Sequence, residues 1–276
     1  MADEGPDTRI WALTIRSPRA LSEEVSRRLW DEGASGIWEK GDREWVAYFE
    51  QRAESTGESL PEADPNLAVQ WHREAQTDWA ARFQESLRPF PLGAGFTIMP
   101  REGADNPWPE RRTLLLVPGT AFGTGEHFTT ASCFRALDAL HPVPRSFLDI
   151  GCGTGILAVA AAMMGVSDVS GCDIDPEAVR VARLTARANG VEIDFREGDA
   201  GSEEGRFACV AANILAETLI DEMASIAARV APGGKLILSG ILCEKGPSVL
   251  KSAQREGFFE AGARTDGRWW TYTLSR

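Results

Sequence analysis

Residues 147–157 read Phe-Leu-Asp-Ile-Gly-Cys-Gly-Thr-Gly-Ile-Leu, an apolar strand passing through a glycine-rich turn into an alanine-rich helix. Glycines at 151, 153 and 155 remove side chains where backbone must approach a ligand closely. The helix beginning near Ile156 points its free N–H groups into the same space. The spacing is Gly-x-Gly-x-Gly, whereas a dinucleotide fingerprint wants its third glycine one residue later. A cofactor without a pyrophosphate fits this turn better, and S-adenosylmethionine is the candidate. A glycine turn after a strand is also an ordinary tight connection, so the chemistry must be sought at further positions.

Residues 169–175, Val-Ser-Gly-Cys-Asp-Ile-Asp, read as the next strand and end in acids 22 and 24 residues after Gly151. A parallel βαβ unit brings the end of its second strand beside the first turn, where a carboxylate can accept both ribose hydroxyls. Asp173 is assigned that contact, while Asp175, preceding Pro176, suits the N-cap of a helix over 177–189. Residues 210–216, Val-Ala-Ala-Asn-Ile-Leu-Ala, run off a later strand beside the topological switch, which places Asn213 where substrate would meet cofactor. An Asn after a strand also serves as a turn or cap. The aliphatic residues that follow Asn213 disfavour stacking of a planar base. The loop 117–130 can fold over a ligand, with Phe122 covering an apolar part and a threonine hydroxyl at the following helix start bonding a polar tail. Thr129 or Thr130 would equally cap that helix.

These residues need a scaffold, and 276 residues supply one large or two modest domains. Strands at 146–150, 168–173, 192–196, 207–213 and 235–241 alternate with helices, which predicts a mostly parallel sheet covered on both faces. Residues 258–264 and 269–274 flank Thr-Asp-Gly-Arg, a hairpin signal, so the sheet is expected to finish with an antiparallel pair. The fold class is α/β, a Rossmann-like methyltransferase domain preceded by a small α+β domain. In that first domain strands are expected at 10–16, 36–39 and 45–50, with a helix over 21–31. An amphipathic connector helix is expected over 71–87, with Ala75, Trp79 and Phe83 on one stripe, and short strands at 96–99 and 113–117. The expected boundaries are 1–60 for the small domain, 61–112 for the linker helix and connecting segment, and 113–276 for the catalytic domain.

A formal net charge of −12 disfavours a partner held through phosphates, so no direct nucleic-acid binding is expected and a basic protein partner fits better. No apolar run approaches membrane length, and the first residues lack a signal-peptide pattern, so a cytoplasmic, monomeric protein is expected. The five cysteines form no Cys-x-x-Cys pair and read as small core residues; with three histidines, no metal site is expected.

The chain resembles the ribosomal protein L11 methyltransferase family, PrmA. The resemblance rests on Pro-Gly-x-Ala-Phe-Gly-Thr-Gly-x-His-x-Thr-Thr over 118–130, the glycine turn over 148–158, Asp-Ile-Asp-Pro over 173–176, Ala-Asn-Ile-Leu-Ala over 212–216 and Leu-Ser-Gly-Ile-Leu over 238–242. The first and fourth motifs are distinctive, whereas the second and third are shared by methyltransferases at large. The resemblance implies cofactor contacts from Thr130, Gly151, Asp173 and Asn213, with Asp199 accepting from the adenine amino group, and a catalytic role for Asn213. It departs at Val117, where the family usually has an acid, and at Arg101, where it usually has tryptophan.

The reaction so implied is methyl transfer from S-adenosylmethionine to lysine ε-amino groups, or an α-amino group, of ribosomal protein L11. Asn213 and a backbone carbonyl would direct the amine lone pair, and His127 would relay a proton or order its loop. A related methyltransferase acting on another protein, RNA or a small molecule is the alternative. An RNA enzyme should show a basic face or base-stacking site, which the sequence lacks. A nicotinamide-dependent dehydrogenase would need the dinucleotide spacing.

Overall fold

The computed structural model describes residues 9–18, 36–41, 43–49, 64–75, 88–93, 95–99, 105–117 and 127–276, with positions 21, 25, 28, 29, 32–34, 51, 52, 60, 61 and 125. The chain forms two compact units, Met1–Trp79 and Ala80–Arg276.

In the first unit, strands β1 (Arg9–Arg16), β2 (Gly36–Gly41), β3 (Glu44–Phe49) and β4 (Ala68–Ala75) form a sheet in the order β2-β3-β1-β4. Its pairings are antiparallel. Alternation decides which face is buried: Leu13 and Ile15 on β1 and Trp45, Ala47 and Phe49 on β3 join one core with the helical residues Val25 and Leu29. The helix expected over 71–87 is corrected here, because residues 71–75 belong to β4; positions 76–87, including Trp79 and Phe83, lie outside the described residues. The reason is a period of two. Leu67, Val69 and Trp71 turn alternately toward the core, and Trp71 sits opposite Leu13 and 5.1 Å from the Phe49 ring.

The second unit opens with a small sheet of β5 (Phe90–Leu92), β6 (Phe96–Met99) and β7 (Arg112–Leu115). Its main sheet contains β8 (Ser146–Ile150), β9 (Asp168–Asp173), β10 (Asp194–Glu197), β11 (Phe207–Asn213), β12 (Val230–Leu242), β13 (Phe259–Thr265) and β14 (Trp269–Ser275). The order is β10-β9-β8-β11-β12-β14-β13, parallel through β12 and antiparallel at the final pair. Around it lie α1 (Phe128–Asp138), α2 (Ile156–Met163), α3 (Pro176–Ala188), α4 (Ala216–Asp221), α5 (Met223–Arg229) and α6 (Gly246–Arg255).

Strands buried on both faces explain the nearly unbroken apolar runs in sequence. Phe147, Cys209, Ala211 and Ile237 face one core with α1 and α2, while Leu148, Ile150, Val210, Ala212, Leu236 and Leu238 face the other with α4, α5 and α6. Each fully buried Leu, Ile or Phe side chain contributes roughly 1.5–3 kcal/mol. An aromatic pair and a side-chain amide are among the contacts that tie the small sheet to this body. Phe96 meets Phe134 edge-to-face at 5.2 Å, and the Asn189 side-chain amide accepts from Leu115 N and donates to Leu115 O, each at 2.8 Å.

The strand expected at 235–241 begins earlier, at Val230. Pairing with β11 passes from Phe207 opposite Val230 to Cys209 opposite Lys235, so Pro232, Gly233 and Gly234 fall in an irregular stretch of the strand. Proline and glycine in mid-strand mark such irregularities and conceal the strand's start from a reading of pattern alone.

Because β9 and β10 extend the sheet to one side of β8 while β11 and β12 extend it to the other, a crevice opens at the carboxyl ends of β8 and β11.

Candidate active site

A cavity of about 530 Å³ occupies that crevice. Gly151 and Gly153 form its floor, with Asp173 beside them, Asp199 beyond β10 and Asn213 at the end of β11.

The glycine turn is fixed by its own backbone. Gly151 N and Cys152 N both donate to Cys172 O, at 2.8 and 3.0 Å, and glycines 151, 153 and 155 have φ of 66°, 54° and 75°. A Cβ on Gly151 would lie 2.3 Å from Ile214 Cγ2. Gly155 has a different duty: its Cβ would meet Ala182 and Phe195, so the third glycine allows α2 to pack, and it is absent from the cavity wall. Beneath the turn, Asp149 is buried and its Oδ2 accepts from Ala158 N at 3.3 Å. Burial, opposed by that hydrogen bond, pushes its carboxyl well above the usual carboxylate range.

Asp173 Oδ2 accepts from Gly153 N at 2.8 Å and Oδ1 from Asp175 N at 3.0 Å. The carboxylate is thereby held rigid, and each oxygen keeps a lone pair for an incoming hydroxyl. Asp175 caps α3 by accepting from Glu177 N at 2.9 Å, the role its position before Pro176 predicts. Asp199 closes a local turn, its Oδ1 accepting from Gly201 N and Ser202 N at 2.8 and 3.0 Å.

Asn213 donates from Nδ2 to Thr130 Oγ1 at 3.4 Å, while its Oδ1 is buried with no hydrogen-bond partner. An unmatched buried acceptor costs about 1–3 kcal/mol, which a ligand donor would recover. Thr130 is 1% exposed and stands behind Asn213; the cavity is lined instead by Thr129 and His127. The residues thus fit a nucleoside-bearing cofactor: close backbone approach at Gly151, a fixed acceptor pair at Asp173 and an orphaned acceptor at Asn213.

The model of the family described as "Ribosomal protein L11 methyltransferase (PrmA)" matches residues 9–276. The chain belongs to this family. The ribosomal protein L11 methyltransferase of Deinococcus radiodurans is 39% identical over 262 residues, covering 90% of this chain and 92% of its relative. That of Geobacter sulfurreducens is 42% identical over 192 residues, 70% of this chain and 64% of the relative's length. Among solved structures, the ribosomal protein L11 methylase of Lactobacillus delbrueckii subsp. bulgaricus superposes with a TM-score of 0.64 at 28% identity, covering 69% of this chain and 99% of that one.

In this PrmA-family member, the helix cap expected from Thr129 or Thr130 is supplied by His127. Its Nδ1 accepts from Thr129 N at 3.4 Å and lies 2.7 Å from Thr129 Oγ1. Its ring stands edge-on to Trp269 at 5.3 Å. Burial lowers the His127 pKa, the nearby Asp266 opposing and Arg268 assisting. Behind the cap, Thr271 Oγ1 meets Ser132 Oγ and, at 2.6 Å, Ser239 Oγ, and both serines also donate to Thr129 O. This buried hydroxyl group joins α1, β12 and β14.

Several wall residues escape sequence reasoning. Ile174 and Leu215 stand at the cavity 75% and 68% exposed, and Trp269, Thr218, Glu222 and Gly240 also line it. Gly240 had a legible signal, a glycine near the carboxyl end of a core strand; a Cβ there would lie 2.4 Å from Ile214 O. Phe122 and the loop glycines at 119 and 123 lie outside the described residues, as does Arg101. Among the described residues, no group of three or more His, Cys, Asp or Glu could hold a metal ion, and no helix is long and apolar enough to cross a membrane. Cys133, Cys172 and Cys209 are buried and their thiols are pushed up to about 12, with Cys152 also raised, chiefly by burial.

Proposed function

We propose that this protein transfers a methyl group from S-adenosylmethionine to amino groups of ribosomal protein L11, chiefly lysine ε-amino groups, with an N-terminal α-amino group as a further acceptor. The observation that carries the reading is the unpartnered, buried Oδ1 of Asn213 in the cavity that also presents Gly151 and Asp173. Family membership over residues 9–276 supports the reaction class, and the printed names of the relatives support the substrate.

S-adenosylmethionine supplies an electrophilic methyl group. Asp173 holds the ribose hydroxyls, Gly151 lets the backbone approach, and Asp199 faces the purine. Thr130 acts through Asn213, fixing its amide. Lysine, with a reference pKa of about 10.4, costs about 5 kcal/mol to present as a neutral amine at about pH 7. A low-dielectric wall reduces that cost by disfavouring the ammonium form, and Ile214, Leu215 and Trp269 provide one. Asn213 Oδ1 accepts an N–H of the neutral amine and so turns its lone pair toward the methyl carbon. In the same reading, the first unit, Met1–Trp79, selects the protein substrate and the second, Ala80–Arg276, carries out transfer by a single chain, with no nucleic acid required.

Purified protein, labelled S-adenosylmethionine and purified ribosomal protein L11 are incubated, and methyl groups are mapped by mass spectrometry. Methylated lysines or a methylated N-terminus are expected. Absence of incorporation, with cofactor binding shown separately, would move the acceptor to another molecule.

A further inference from the structure

The cavity holds one acid that the proposed reaction does not use. Glu222, between α4 and α5, lines the wall together with Gly198 and Asp199. It comes from far along the chain: α4 and α5 share their core with Cys172 and Ala200, which carries Glu222 from the β11 side back over the strand ends toward β10. The backbone at Ala200, in the same loop that supplies Asp199, partly offsets the burial that raises the pKa of its carboxyl group.

The order of strands assigns a ligand part to this corner. Neighbouring strands lie about 4.8 Å apart. Asn213 ends β11, Gly151 follows β8, Asp173 ends β9 and Asp199 follows β10, so a ligand with its sugar at Asp173 and its reacting group at Asn213 carries its base toward β10. There it meets two carboxyl groups, Asp199 and Glu222, and Thr218. Asp199 has already committed Oδ1 to two backbone N–H groups. The Asp199 charge, after burial, raises the Glu222 pKa, so the two acids interact across the space between them. A group with two N–H donors relieves that repulsion, whereas a carbonyl oxygen adds to it.

We propose that Glu222 is a second reader of the purine: with Asp199 it accepts the N–H bonds of a 6-amino group and selects adenine against 6-oxo purines. This rests on the reading of the cavity as the S-adenosylmethionine site. Rejection arises because a 6-oxo group places a third oxygen between the two acids and leaves, in place of two 6-amino donors, at most the single N1–H. Glu222 is a specificity-determining residue and takes no part in methyl transfer.

The test is calorimetric titration of the full chain with S-adenosyl-L-homocysteine and with S-inosyl-L-homocysteine, which differ in the 6-substituent and in the proton that N1 carries in the 6-oxo form. The parent protein should prefer the adenosyl compound by about 100-fold or more. Glu222→Gln presents an amide that accepts from a 6-amino group or donates to a 6-oxo group. Its preference should fall by about tenfold or more, mainly through tighter binding of the inosyl compound. Glu222→Ala should lose about tenfold or more for the adenosyl compound and, with one of the two carboxyl groups gone, should bind the inosyl compound no worse than the parent does. A Glu222→Gln protein that keeps the parent's preference overturns the inference and leaves the cofactor reading standing. A parent protein that binds neither compound overturns both. Thermal melting of each unliganded variant separates a folding defect from a change in selectivity, since only the latter alters the ratio of the two affinities.

Discussion

The Asn213 amide and the Thr130 hydroxyl lie 83 positions apart in sequence and 3.4 Å apart in space, Nδ2 to Oγ1. One ends a core strand and the other opens a helix, so neither depends on a loop for its position. The bond orients the amide and leaves Oδ1 as the free acceptor.

If that acceptor directs the amine, Asn213→Ala should lower the rate of methyl transfer about 100-fold or more, the scale on which lost alignment acts. Thr130→Val should cost less, because the amide remains present but loses its tether. Single-turnover transfer to ribosomal protein L11, with S-adenosyl-L-homocysteine binding measured in parallel, checks both. Asn213→Ala turnover within a few-fold of the parent would sink the assignment.

Gly151→Ala combines two penalties, a φ of 66° and a Cβ 2.3 Å from Ile214 Cγ2. A loss of about 1–3 kcal/mol in unfolding free energy is expected, with weaker cofactor binding. Gly190→Ala has a similar φ of 65° but no atom within 4 Å of the added carbon. Urea denaturation of the two variants should therefore rank Gly151→Ala as the more damaging; equal losses would show that the Ile214 contact yields freely.

The hydroxyl group around Thr271 is buried, so removing its centre leaves Ser132 and Ser239 short of a partner. Thr271→Val should destabilise by about 1–3 kcal/mol, and Thr271→Ser should restore most of the loss. Denaturant midpoints decide the matter, with a Val midpoint above that of Ser arguing that the methyl group, rather than the hydroxyl, does the holding.

The His127 cap needs the unprotonated Nδ1, and burial lowers its pKa below the ordinary 6.5. The unfolded chain therefore binds a proton more readily than the folded one. Stability from this group is fully present above the unfolded value and is lost as pH falls through the lower folded value. Melting temperature should drop between about pH 7.5 and about pH 5 more in the parent than in His127→Asn, which retains a capping side chain that does not titrate. Parallel pH curves for the two proteins would refute the coupling.

Much of the transfer unit is legible because its strands are short, apolar and separated by glycines with identifiable duties. Phe147 to Ile150, Asp168 to Asp173 and Phe207 to Asn213 are visible as β8, β9 and β11, and the hairpin over Asp266 to Arg268 announces itself through Asp-Gly. Residues 71–75 fall into the expected helix because Ala75 shares a spacing of four with Trp79 and Phe83, while the pairing of β4 with β1 is non-local and leaves no mark in the sequence nearby. His127 displaced the threonines as cap because an imidazole nitrogen accepts as a hydroxyl does, a use outside the usual capping preferences. Glu222 and Trp269 are invisible for a different reason: each reaches the cavity only through packing of elements far from the motif-bearing turns.

The placement of β14 between β12 and β13 has a consequence for how a nascent chain matures. Both neighbours leave the ribosome before β14, yet β13 gains its place in the sheet only through β14. Trp269 and Thr271 travel on that strand, so the wall beside His127 and the hydroxyl junction under the cap are completed together, once β14 has followed β12 and β13. Binding competence should therefore arise in one step when the hairpin docks, and a translation intermediate stalled before β14 should hold the glycine turn and Asp173 without a closed site.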